Sequence, residues 1–162
     1  MSLHIRPAAR ADAPHIWRFL HDLAEYEKLL DTFTVSEEKL ADALFCLQPK
    51  VFCDLAEWNG APAGIAIWYY NYTTFGGQHG IYLEDLYVGQ SHRGLGLGRA
   101  LLAHLAARCV AEDLVRLDWS VLTWNTPAID FYKQLGAEMK DDWAGCKLTG
   151  AALRGLAASA RR

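Results

Sequence analysis

The chain has 162 residues, a formal net charge of −3, and 52% hydrophobic against 22% charged residues. That size and balance predict a single folded domain over residues 1–162 with a buried core, and exclude a disordered tail. Beyond the terminal Arg161-Arg162 pair there is no basic stripe of the kind nucleic-acid binders carry, and no apolar run approaches the ~20 residues needed to cross a bilayer.

The elements follow in chain order. Leu3-His4-Ile5-Arg6 alternates as a short first strand. A helix then opens at Ala11 or Asp12 with Pro14 in its first turn, and Ile16, Phe19, Leu20, Leu23 and Tyr26 form one apolar face. A second helix is announced by Ser36-Glu37-Glu38-Lys39, with Thr34 as the expected cap and Glu37 completing a capping box. Strands are expected over 51–58 and 63–70, joined by Asn59-Gly60, the strongest short hairpin signal in the chain. After the Gly76-Gly77 break, Gly80–Val88 reads as a central strand. Leu97 to Glu112 is an amphipathic helix, Val115–Leu122 a strand, and Asn125–Leu135 a short helix closed by Gly136. Two final strands are expected between Glu138 and Thr149, joined near Asp141-Asp142. The order predicts an α/β fold with a mixed, mostly antiparallel twisted sheet flanked by about four helices.

The four cysteines (Cys46, Cys53, Cys109, Cys146) form no C-x-x-C pair, and the six histidines form no H-E-x-x-H cluster. Reduced core thiols are expected, with no disulfide frame and no metal site. Met1 to Arg10 lacks the apolar stretch of a secretory leader, so a cytoplasmic location is expected with no membrane partner.

The most informative segment runs Leu86-Tyr87-Val88-Gly89-Gln90-Ser91-His92-Arg93-Gly94-Leu95-Gly96-Leu97-Gly98-Arg99. A strand, a glycine-rich loop and a helix N-terminus in that order present backbone N–H groups and the positive end of a helix dipole to an anion. Glycines let a phosphate approach the backbone, and Arg93 can add a charge-assisted contact. The segment lacks the Gly-Lys-Ser/Thr ending of a Walker loop, and its G-x-G-x-G spacing is not a dinucleotide fingerprint. Arg93-x-x-Gly96-x-Gly98 does fit the R/Q-x-x-G-x-G pyrophosphate loop of the GNAT superfamily of N-acetyltransferases.

The likeness extends beyond the loop. Ile5-Arg6-Pro7-Ala8, the stretch 23–29, Tyr82-Leu83-Glu84-Asp85-Leu86-Tyr87-Val88, Trp124-Asn125 and Phe131-Tyr132-Lys133-x-x-Gly136-Ala137 stand in an order that covers about residues 5 to 143. With them the chain resembles the diamine N-acetyltransferases, the group that holds the spermidine/spermine and thialysine enzymes, and is slightly nearer the thialysine branch. The resemblance implies acetyl-CoA as co-substrate, no metal, a homodimer whose final strands meet, and a small-molecule amine as acceptor. It implies that Leu86, Tyr87 and Val88 offer backbone groups to the pantetheine arm. Arg93, Gly94, Leu95, Gly96, Leu97, Gly98 and Arg99 hold the pyrophosphate, and Asn125 and Ala128 line the far side of the CoA groove. Tyr132 is the implied general acid, and Tyr26, Glu27, Glu84 and Asp141 face the amine.

The chemistry asks for such residues. An alkyl amine has a pKa near ~10 and arrives protonated, so a base must remove that proton before attack on the thioester. Glu84 can accept it, directly or through water, and the Tyr132 phenol can return a proton to the departing thiolate. Strict alternation along the strand sends Asp85 to the face opposite Glu84, so the two are not expected to act as a pair. Plainer roles stand beside these: Glu84 as a solvated strand residue, Tyr132 as an amphipathic core aromatic, Asn125 as a helix cap, Asp141-Asp142 as a polar turn, and Trp58, Trp68, Trp119 and Trp143 as core or interface residues. Tyr72-Thr73-Thr74-Phe75-Gly76-Gly77 lacks the acid that polyamine enzymes carry there, which favours a shorter diamine or a lysine-like amino acid over spermine. Acetylation of a protein lysine or N-terminus, or non-catalytic acyl-CoA sensing, are the competing functions.

Overall fold

The computed structural model describes residues 2–160, so Met1 and the Arg161-Arg162 pair lie outside the described residues. The chain groups into two compact units, Met1–Leu122 and Thr123–Arg162. The first holds one five-stranded sheet in sequence order, made of β1 (Leu3–Pro7), β2 (Phe52–Trp58), β3 (Ala61–Thr73), β4 (Gln78–Val88) and β5 (Leu117–Trp119). Neighbours are antiparallel except β4 and β5, which run parallel. The expected hairpin forms: Asn59 (φ 52°) and Gly60 (φ 83°) both take positive φ, as a two-residue turn matching strand twist requires, and Trp58 pairs with Ala61.

Helices α1 (Ala13–Tyr26) and α2 (Glu37–Leu44) cover one face. Ile16, Leu44, Cys53, Leu55, Ile65, Ile67 and Tyr87 form the core there, with Phe19, Leu20 and Leu23 of α1 packed on it. Arg6 on β1 clamps the entry to α1, donating to both carboxylate oxygens of Asp12 at 2.7 and 2.9 Å, while Asp12 also accepts from the Ala9 amide. Ser36, not Thr34, caps α2, its hydroxyl accepting from the Lys39 amide at 3.2 Å. Ser36 is the residue immediately before the helix with extended φ and ψ, the geometry that lets a side chain reach back to the third amide.

The opposite face carries α3 (Leu97–Ala111), which buries Leu97, Leu101, Leu105 and Cys109 at four-residue steps. Asp54 of β2 is buried beneath it and accepts from the Trp68 indole at 2.8 Å. Cys53 and Cys109 are buried, but Cys46 and Cys146 are exposed, so the expected core placement holds for half of the thiols.

β5 is much shorter than the eight residues expected. It pairs with β4 only over Ile81–Leu83 and Leu117–Trp119. From Glu84 to Val88 the β5-side edge of β4 has no ladder partner among the described residues.

In the second unit, Asn125 caps α4 (Thr126–Gln134) by accepting from the Ala128 amide at 3.4 Å, and Gly136 (φ 88°) follows its end. The two final strands do not form. Residues 137–149 carry neither helix nor strand, and α5 (Gly150–Ala158) follows instead. The segment is exposed, with Asp141-Asp142 and Gly145 interrupting any apolar alternation. Trp143 is 78% exposed rather than core.

Gly64 on β3 is held by a close approach: a Cβ there would stand 2.7 Å from the Tyr87 carbonyl oxygen. Gly64→Ala should therefore force β3 from β4 and cost roughly 1–3 kcal/mol, read as a lowered urea midpoint. An unchanged midpoint would show that the ladder yields freely.

Candidate active site

β4 carries the site, and a bulge shapes it. Trp68 pairs with Leu83 and the next residue back, Ile67, pairs with Asp85, so Glu84 is an extra residue with no partner on β3. A bulge interrupts strand alternation and bends the chain locally. Paired residues share a face, so Asp85 takes the side of Ile67, the face covered by α1. The bulge interrupts the alternation from which the separation of Asp85 and Glu84 was expected, and it leaves Glu84 exposed while Asp85 is partly buried.

Two carboxylates act on a third here. Burial pushes Asp85 up to about 7, and the charges of Glu84 and Glu27 push in the same direction. Glu27, the residue following α1, is itself raised by burial. Glu84 is exposed, and its charge is felt by the Tyr69 phenol, which burial raises first. Tyr69 stacks on Tyr82 at 5.3 Å, and the Tyr82 hydroxyl meets Ser120 at 2.8 Å. A proton-accepting group poised near neutrality beside two other acids suits removal of a proton from a cationic amine. Sequence reasoning set Asp85 aside because a bulge leaves no mark in a run such as Tyr82-Leu83-Glu84-Asp85.

Beyond the bulge the open edge of β4 leads into the loop. The Tyr87 carbonyl faces Gly64 of β3 and its ring meets Phe19 at 5.8 Å. Tyr87 is thus turned away from the open edge, where the resemblance had it offering backbone groups. Alternation leaves the main-chain groups of Leu86 and the amide of Val88 for that edge, the Val88 carbonyl being taken by Arg93. After a short 3-10 turn over Gln90–His92, Gly94 (φ 78°) and Gly96 (φ 84°) adopt left-handed backbone, and nothing lies within 4 Å of where a Cβ would stand on either. Gly96 precedes α3, so the first-turn amides of Leu97, Gly98 and Arg99 have no acceptor within the helix. Leu95 and Arg99 are exposed. A diphosphate can approach bare main chain here, so the residues present fit a CoA-type anion.

The Arg93 side chain does not point into that cradle alone. Its guanidinium lies 5.2 Å from the Tyr26 ring centroid and 5.7 Å from that of Tyr87, and its Nε donates to the Val88 carbonyl at 3.3 Å. The first unit thus brings together Tyr26, Glu27, Glu84, Asp85 and Arg93. Tyr132, Asn125, Ala128 and Asp141 belong to the second unit. Tyr132 sits on α4, its ring 5.3 Å from that of Phe131, the Ala128 amide is already engaged by Asn125, and Asp141 is exposed in irregular chain. Among the described residues no group of three or more His, Cys, Asp or Glu could hold a metal ion, and no helix is long and apolar enough to cross a membrane.

The chain is similar to known proteins. The acetyltransferase (GNAT) family profile matches residues 17–137. A thialysine N-epsilon-acetyltransferase of Bos taurus is 37% identical over 164 residues, covering 94% of this chain and 96% of the relative. An L-ornithine N5-acetyltransferase of Arabidopsis thaliana is 28% identical, covering 96% and 88%. Among solved structures, an integron cassette protein from the mobile metagenome of V. cholerae superposes with a TM-score of 0.81 at 27% identity, over 98% of this chain and 99% of that one.

The raised Asp85 carboxyl makes a stability prediction. Its folded pKa lies above the ordinary ~3.9, so its contribution is fully present below about pH 4 and is lost as pH rises through about 7. Asp85→Asn cannot ionise and should gain stability relative to the unaltered protein at pH 8 but not at pH 4. Urea midpoints at the two pH values test this; a difference independent of pH would show that Asp85 is not held protonated.

Proposed function

Since the chain belongs to the acetyltransferase (GNAT) family and is an enzyme that acetylates the amine of a small metabolite, we propose that β4 and its loop perform the transfer from acetyl-CoA to the primary amine of a diamine or a lysine-like amino acid. The observation that carries this reading is the sequence of features along β4: an acid cluster at the bulge, then a ladder-free edge, then a glycine cradle at the start of α3. The thialysine and ornithine enzymes among the relatives act, by their names, on amino acids with a side-chain amine, which supports that acceptor class.

In this reading Leu86 and Val88 offer main-chain groups to the pantetheine arm. The amides from Arg93 to Arg99 receive the diphosphate, with Asn125 and Ala128 assigned to the far side of the cofactor groove. Acetyl-CoA supplies the activated thioester carbonyl. Glu27, Glu84 and Asp141 attract the cationic acceptor by Coulomb force, and Tyr26 faces it. Glu84 takes the ammonium proton, directly or through water, and its charge helps hold the buried Asp85 carboxyl up. The raised pKa of Asp85 keeps the pair from carrying two full charges at neutral pH, which leaves room for one proton. Tyr132 returns a proton to the departing sulfur, since a phenol near pKa ~10 stays protonated until a stronger base appears.

Residues 1–162 act as one catalytic domain in this proposal, in the cytoplasm, as a homodimer and without nucleic-acid or membrane partners. The dimer rests on family likeness, and residues 137–149 cannot supply the strand contact once expected for it, because they form none.

Purified protein with acetyl-CoA should release free thiol when offered lysine, thialysine, ornithine or short diamines, and mass spectrometry should find the acetylated amine. Release with none of these would refute the acceptor class. Tyr132→Phe should lower kcat by about 10²-fold or more while calorimetry finds CoA affinity within about twofold of the unaltered protein. Turnover that survives the substitution would remove Tyr132 from the acid role.

A further inference from the structure

A groove of about 970 Å³ opens beside the acid cluster, walled by one face of α1 and by the start of the glycine loop. Arg18, Asp22, Glu25 and Tyr26 line it from α1, at spacings that share a helix face. Tyr87 and Arg93 line it from β4 and the loop. Cationic and anionic groups therefore meet in one concavity. Arg18, Glu25 and Arg93 make no ion pair among the described residues, and Asp22 meets only the His21 ring, at 4.0 Å. The Tyr87 phenol, raised first by burial, feels the charges of Asp22, Arg93 and Glu25 together. Two carboxylates and a guanidinium thus line one concavity together with the Tyr87 ring.

We infer that this groove is the subsite for the zwitterionic end of an amino-acid acceptor, with Arg93 and Arg18 receiving its α-carboxylate and Asp22 and Glu25 its α-ammonium. The inference rests on the acceptor reading above and narrows it from diamine or amino acid to the amino acid.

The spacing supports it. Asp85 and Tyr87 share the α1 face and stand two residues apart on β4, roughly 7 Å along the strand. A side chain of four methylenes spans roughly 6 Å from its α-carbon to its amine. An amine presented at Asp85 therefore leaves its α-carbon level with Tyr87, which lines the groove. A diamine such as cadaverine has the same chain and the same reacting end but brings no carboxylate. It would leave the two arginines facing solvent and gain nothing from them.

Lysine and cadaverine, compared as acceptors, form the test. The unaltered protein should prefer lysine in kcat/KM. Arg93→Leu and Arg18→Leu should each reduce that preference by about tenfold, the worth of one charge-assisted hydrogen bond. Because the quantity is a ratio on one sample, any loss of folded protein or of CoA affinity cancels. Equal use of the two amines by the unaltered protein, or a preference untouched by both substitutions, overturns the inference. Calorimetric titration of lysine into the CoA-loaded protein reads the groove without turnover. Lysine binding that the substitutions weaken, accompanied by no acetylation, would refute the acceptor reading and leave the groove standing; no lysine binding would overturn the groove itself.

Discussion

The site depends on the extra residue that β4 accommodates at Glu84. A regular strand would keep every main-chain group in a ladder and alternate its side chains strictly. Here the bulge breaks the β3 register, and on the other side β5 leaves β4 after Leu83. The two departures coincide at one residue. Together they free a stretch of backbone in the middle of an otherwise paired sheet and gather acidic side chains beside it. Unpaired main-chain groups are costly if buried and useful if a ligand can satisfy them.

Electrostatics then run in opposite senses along one continuous segment. At the bulge, burial raises Asp85 and Glu27, and the charges of Glu84 and Glu27 hold the Asp85 carboxyl up further. Thirteen residues of sequence further on, the start of α3 offers uncompensated amides and the positive end of a fifteen-residue helix. A cation is favoured at one end and a polyanion at the other. That polarity keeps the two substrates of a transfer reaction from competing for the same ground, and the open edge from Glu84 to Val88 joins them. The family's loop pattern accounts for the anion end; the bulge accounts for the cation end.

Arg93 links the two. Its main chain belongs to the loop, yet its guanidinium turns toward Tyr26 and Tyr87 and its Nε holds the Val88 carbonyl. Aromatic faces can hold a guanidinium while leaving its outer donors available, which a carboxylate partner would consume. This is the physical basis for reading the adjoining groove as receptive to an anion despite the acids around it.

Much of this was legible from residue order. The Asn59-Gly60 turn, the amphipathic face of α1, the four-residue apolar steps of α3, the Asn125 cap and the glycine cradle all follow from local rules, because each depends on residues within a few positions of one another. The family likeness was legible too, since it rests on ordered motifs. Other features needed partners distant in sequence. The bulge exists only in the register between β3 and β4, the shortening of β5 only in where it leaves its neighbour, and the raised Asp85 only in the burial and charges that those contacts create. The chain after Gly136 carries no strand because Asp141-Asp142 and Gly145 break the alternation that a strand would need. Near-neighbour chemistry therefore wrote the helices, turns and anion cradle into the amino-acid order, while strand registration across the sheet, set by packing between segments far apart in the chain, made the acid cluster.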